Sequence, residues 1–215
     1  MASRSKGIYL LLILTNIFWG INSVTAKFVL TELPPITIAF VRFGLITLLL
    51  MASAVVYGKF SIPDKNDLYL FIGMGITGVY LHNMLFFTGV KFSSAANATL
   101  ISAVNPAIMA LFSFFLYRET LRPIQIAGIF LSLLGVTVII TKGSLAVLFG
   151  MEFNFGDILL SITPVSWSVY SLIGRKLMKR YDPLIVTAYA GLFGAVLLLP
   201  TALLLEPGFL SLIHI

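Results

Sequence analysis

Residues 19–38 read WGINSVTAKFVLTELPPITI, and residues 167–186 read WSVYSLIGRKLMKRYDPLIV. A gapless shift of 148 residues carries Trp19 onto Trp167, Ser23 onto Ser171, Lys27 onto Arg175 and Pro35 onto Pro183. The same shift lays Ile36-Thr37-Ile38 on Leu184-Ile185-Val186. Each copy runs apolar helix, basic exit, proline, apolar helix. How the chain is organised depends on what lies between the copies and which way each one points.

Outward from these stretches the chain stays apolar. It has 215 residues, 59% of them hydrophobic and 10% charged, with a mean hydropathy of +1.05. Soluble domains are about 45–50% apolar and about 25% charged. Too little charge is present to coat a water-facing surface, so lipid is the expected solvent and the bilayer the expected partner. A helix needs about 20 apolar residues to cross the hydrocarbon. Seven stretches qualify, at about Ile8–Leu30, Ile36–Tyr57, Leu68–Thr88, Ala95–Tyr117, Ile124–Thr141, Gly156–Leu177 and Leu184–Leu205. None alternates like a membrane β-strand, and backbone groups in lipid must bond within their own segment, so helices are expected throughout. Pro35, Pro123 and Pro183 fall at helix starts, where a missing N–H costs nothing. The first stretch is too long for the core of a cleaved signal peptide and lacks a small-residue exit, so it reads as a retained helix.

Orientation follows from lysine and arginine. With the N-terminus in the cytoplasm of a cell membrane, Arg4, Lys6, Lys59, Lys65, Arg118, Arg122, Arg175, Lys176, Lys179 and Arg180 all lie inside. Only Lys27, Arg42, Lys91 and Lys142 lie outside or within the outer half of a span. Five spans separate the start of one copy from the start of the next, and an odd number turns the second copy upside down. Inverted repeats recur in secondary transporters. The expected fold is therefore an all-α polytopic bundle, a five-helix inverted repeat whose second copy is incomplete. Residues 1–141 form the first repeat, 142–155 a connecting loop, and 156–215 the first two helices of the second. Seven helices of an expected ten are present, so the chain is expected to be a fragment or a truncated reading frame of a protein near 300 residues, roughly twice the repeat shift. The closing Phe209-Leu210-Ser211-Leu212-Ile213-His214-Ile215 has no finished tail.

Several classes of function are excluded or disfavoured. With no cysteine there is neither a disulfide framework nor a thiolate metal site. His82 and His214 are the two histidines, too few for an evident metal centre, so no metal or cofactor is expected. No phosphate-cradling glycine loop is present. The net charge of +6 belongs to cytoplasmic loops rather than to nucleic acid. A seven-helix receptor or light sensor is the rival, but the last span has no lysine for a retinal linkage. A membrane-embedded enzyme or assembly factor would need a convergent acid, base or metal cluster.

Polar and aromatic groups inside a membrane are costly and mark candidate pathways. On the first helix these are Trp19, Asn22 and Ser23, mirrored on the sixth by Trp167 and Tyr170. Lys27 can snorkel to the interface. Arg42 lies about two turns into its helix and is a candidate anion contact or gate. His82, Asn83 and Phe86 sit together on the third span. Asn97 and Asn105 are eight apart on the fourth and share a face if the helix is continuous. Pro106 and Pro164 should kink their helices. Gly128 and Gly135 should allow close packing of the fifth, and the glycines at 73, 75 and 78 close approach or bending of the third. Glu119 is expected to pair with Arg118 or Arg122 at the interface. A small-molecule substrate is the expected partner, and a second copy of the chain is a candidate for self-association.

Three stretches carry a family resemblance. The first is Asn16-Ile17-Phe18-Trp19-Gly20-Ile21-Asn22-Ser23 with Lys27 and Arg42. The second runs from Ala95 through Asn105-Pro106 to Tyr117-Arg118-Glu119-Thr120-Leu121, then Gln125, Gly128 and Leu134-Gly135-Val136. The third is Gly156-Asp157, Trp167 and Tyr170 through Arg175-Lys176. In order and spacing the chain resembles the EamA-type branch of the drug/metabolite transporter superfamily. That resemblance implies ten helices in two inverted halves with both termini cytoplasmic. It also implies alternating-access export or exchange of small metabolites, often amino acids, without ATP.

Overall fold

The computed structural model describes residues 2–118, 120–150 and 154–206, and every regular element among them is helical. In order these are α1 (Ala2–Val29), α2 (Pro35–Val56), α3 (Leu68–Met74), a π-helical segment (Gly75–Leu81), α4 (His82–Phe92) and α5 (Ala95–Ser102). There follow α6 (Asn105–Tyr117), α7 (Pro123–Thr141), the short α8 (Leu145–Phe149), α9 (Phe155–Leu177) and α10 (Pro183–Leu205). Among the described residues, five helices are long and apolar enough to cross a membrane: Pro35–Val56, Leu68–Phe92, Asn97–Tyr117, Phe155–Leu177 and Pro183–Leu205. With its 19 residues α7 also falls within the length a span requires. Half of the α1 side chains lie outside the described residues, among them Trp19, Asn22 and Ser23; so do Glu119 and the tail from 207 onward.

Local chemistry sets the helix ends. Pro35 and Pro183 occupy the first turns of α2 and α10. The Asn154 side chain accepts from Asp157 N and the Asp157 carboxylate accepts from Asn154 N, a capping box that starts α9. Arg118 adopts the left-handed conformation that stops α6.

The third span is one rod, Leu68–Phe92, with its middle turned into π-helix. Carbonyls displaced by that widening find side-chain donors: Asn83 Nδ2 bonds Gly78 O at 3.2 Å and Val79 O at 2.8 Å, and Ser166 Oγ bonds Thr77 O at 2.6 Å. The fourth span is interrupted at Ala103 and Val104, and Pro106 stands in the first turn of α6. Around Pro164, α9 stays helical in assignment from Phe155 to Leu177. The carbonyl of Leu160, which proline cannot serve, accepts from Thr163 Oγ1 at 2.7 Å.

Helix directions are readable from the contacts. The Glu206 carboxylate, at the end of α10, accepts from Ile36 N at 2.8 Å and from Thr37 N and Oγ1 at 2.7 Å, at the start of α2. At the opposite end Lys59, just past α2, pairs at 2.8 Å with Asp182, just before α10. Helices α2 and α10 are therefore antiparallel and tied at both ends. The Lys27 ammonium bonds Val90 O and Ser93 O, so α1 and α4 finish at the same end. Gly156, at the start of α9, lies against Gly89 and Phe92, so α9 runs opposite to both.

Lipid offers little hydrophobic drive between helices, and packing of small residues replaces it. The buried face of α10 includes Ala188, Ala190, Gly191, Gly194, Ala195 and Ala202. A Cβ at Gly75 would meet Phe193 at 2.6 Å, and one at Gly78 would overlap the Tyr170 ring. The expectation for Gly128 and Gly135 is corrected: nothing stands within 4 Å of a Cβ at either, so neither mediates close packing among the described residues. Their positions on α7 face outward, beside exposed Phe130, Leu131 and Leu134.

Candidate functional site

A cavity of about 240 Å³ lies where α2, the third span, the α5–α6 junction and α9 converge. Arg42 and Phe43 come from α2, Gly78 from the π segment, His82, Asn83 and Phe86 from α4, Ser102 and Asn105 from either side of the break, and Thr163 and Trp167 from α9. Two i, i+4 pairs, His82 with Phe86 and Thr163 with Trp167, present side chains on one helical face each. The His82 ring stacks on Phe86 with planes 9° apart and lies 5.2 Å from Trp167. Histidine Nδ1 is 3.3 Å from Thr163 O. A carbonyl can only accept, so this contact selects the Nδ1–H tautomer and leaves Nε2 as an acceptor in the neutral ring.

The wall combines one cation, aromatic faces and amides. The Arg42 guanidinium sits 5.7 Å from the centroid of Phe43 and borders a second groove of about 470 Å³ between α1, α2 and α4. Asn105 Oδ1 is buried with no hydrogen-bond partner among the described residues, an acceptor with capacity for a donor. Asn83 is buried and spends its amide protons on the π-segment carbonyls, so it holds the wall in shape.

Six of the residues singled out from sequence thus meet at one place: Arg42, His82, Asn83, Phe86, Asn105 and Trp167. Tyr170 lies 5.1 Å from Trp167 but faces a different trough. Asn97 is not in the cavity wall. The break at Ala103–Val104 removes the continuous register that would align it with Asn105.

Asn97 belongs to a polar knot at the end of the bundle where α4 and α1 finish. Its Nδ2 donates to Asp157 Oδ2 at 2.9 Å, Ser93 Oγ donates to Asp157 Oδ1, and Lys27 holds Ser93 O at 2.6 Å. Asp157 is 1% exposed. Sequence reasoning named Asp157 only within the family resemblance, not as a site residue, and passed over Glu206. The Asn154-to-Asp157 spacing was the available signal for the first; no local pattern marks the second, whose partners lie 169 and 170 residues away.

Apolar helices with large outward side chains, such as Leu48, Phe115 and Leu131, enclose a small polar cavity between spans. This defines an integral, multi-pass helical membrane protein with a solute-sized site. The EamA-like transporter family matches residues 6–141 and 154–215, and the chain belongs to that family. A transporter of Archaeoglobus fulgidus is 33% identical over 91% of this chain and 67% of its own length. One of Bacillus subtilis is 30% identical over 93% and 66%. A protein of Salmonella typhimurium named a probable amino-acid metabolite efflux pump is 29% identical over 83% of this chain and 56% of its own. The chain spans about two thirds of the length of the first two relatives. One solved crystal structure shares the fold with a TM-score of 0.66 at 24% identity, over 87% of this chain and 67% of that one. The named relatives are transporters, not enzymes.

Proposed function

We propose that the protein is a secondary transporter that moves small metabolites carrying an anionic group, amino acids or close relatives, by alternating access between two inverted halves. Its N-terminus lies in the cytoplasm, and the second half is represented by α9 and α10. The cavity around Arg42 is the observation that carries this. A guanidinium inside a membrane presents its donors in a planar fork suited to a carboxylate. The unpartnered Asn105 Oδ1 adds an acceptor, His82 adds an imidazole, and Trp167 and Phe86 add apolar faces. Antiparallel α2 and α10, which the 148-residue shift relates, support the inverted arrangement.

The test is flux of radiolabelled amino acids in proteoliposomes. A charged hydrogen bond contributes about 1.5–3 kcal/mol, so Arg42→Gln should weaken apparent affinity roughly ten- to hundred-fold. Arg122→Gln, in an exposed connection, should leave flux unchanged. Equal flux in the parent and Arg42→Gln would remove the cavity from the pathway.

A further inference from the structure

A trough of about 460 Å³ opens beside the end of α9, away from the Arg42 cavity. Its floor is apolar. Gly174 lies under Met74, whose methyl carbon stands 3.1 Å from the place a Cβ would take, and Met178 flanks it at 4.0 Å. Tyr170 and Ser171 close the deeper side, and Arg175 and Lys179, both exposed, form the other end. No Asp or Glu lines the trough among the described residues. The Arg175 guanidinium lies 4.9 Å from the centroid of Tyr117, whose hydroxyl donates to Leu172 O at 3.0 Å. That ring holds the cation in place before any ligand arrives. Neighbouring Arg180 is engaged with Asp67 at 2.7 Å and is turned to another task.

Cations at a helix C-terminus are favoured by the helix dipole alone. The dipole does not require the methionine-lined floor beside them. Thioether side chains adapt to flexible hydrocarbon, and a guanidinium beside an ammonium suits a phosphodiester. A free anion would use the cationic rim and gain nothing from the floor; an amphiphile uses both. We propose that this trough binds one anionic phospholipid, its phosphate between Arg175 and Lys179 and its acyl chain along the exposed Met178 and the edge of Tyr170.

Native mass spectrometry of the purified protein from micelles holding equal dioleoyl phosphatidylglycerol and dioleoyl phosphatidylcholine tests this. Each cation near an anionic lipid contributes roughly a factor of five, so the parent should retain phosphatidylglycerol with a preference on the order of thirty-fold. Lys179→Gln should lower that about five-fold, and Arg175→Gln/Lys179→Gln should bring the two lipids close to parity. Lys142→Gln should keep the full preference, and excess inorganic phosphate should not displace the lipid. Equal retention by the parent, a preference that survives the double substitution, or displacement by phosphate would each overturn the assignment.

Discussion

At the scale of single residues, the bundle separates glycines that matter from glycines that do not. Gly78 abuts the Tyr170 ring, and any side chain there must push the π segment away from α9. Overpacking of this kind costs about 1–3 kcal/mol. Gly128 faces open space in a regular helix, where alanine is favoured over glycine by up to about 1 kcal/mol. Thermal unfolding in detergent should therefore show Gly78→Ala destabilised and Gly128→Ala unchanged or improved. The sequence marked Gly75 and Gly78 as well as Gly128 and Gly135, and it could not separate them, because two glycines seven apart share a helix face whether or not another helix covers it. The cavity residues were more legible. Arg42, His82, Asn105 and Trp167 are polar or amphipathic groups in apolar surroundings, and such exceptions stand out in one dimension. Asp157 and Glu206 did not stand out. They sit near span ends, where acidic residues are ordinary, and their importance comes from partners far along the chain.

Among the elements, the seven long helices were readable because lipid imposes their length and their apolar character together. The interruption before Pro106 was readable from the proline. The π segment was not, since glycine permits a widened turn without demanding one. The pairing of α2 with α10 also emerges only in three dimensions, and it has a pH signature. Asp182 caps α10 through Leu184 N at 2.9 Å and pairs with Lys59. The Lys59 hydrogen bond first, and the Leu184 N–H second, hold its carboxyl below the usual carboxylate range. A folded-state value depressed in this way makes a contribution that is present above the unfolded value. That contribution is lost as pH falls through the lower, folded one. Stability should thus decline on the acid side. Asp182→Asn keeps a good N-cap but removes the charge, so its melting temperature should depend less on pH in that range. Parallel acid profiles for the two proteins would show that the Lys59 pair contributes nothing.

For the whole molecule, the proposed threading with a cytoplasmic N-terminus puts the Lys59–Asp182 end inside and the Glu206 end outside, at the two ends of the antiparallel α2 and α10. The absence of cysteine makes this measurable without background. In intact cells, Lys142→Cys should react with an impermeant maleimide, whereas Lys65→Cys should react only after the membrane is opened. Labelling of both from one side would undo the threading. One further property of the molecule lies in the third span. An i→i+5 turn holds one residue more than an α-helical path between the same flanks. Such a surplus is the trace a single-codon insertion leaves in a helix. Loss of one codon between Gly75 and Leu81 would let the rod close into ordinary α-helix with its flanks still facing as they do now. Loss of one codon between Leu68 and Met74 would swing everything beyond it by about 100°, and His82, Asn83 and Phe86 would turn away from Arg42.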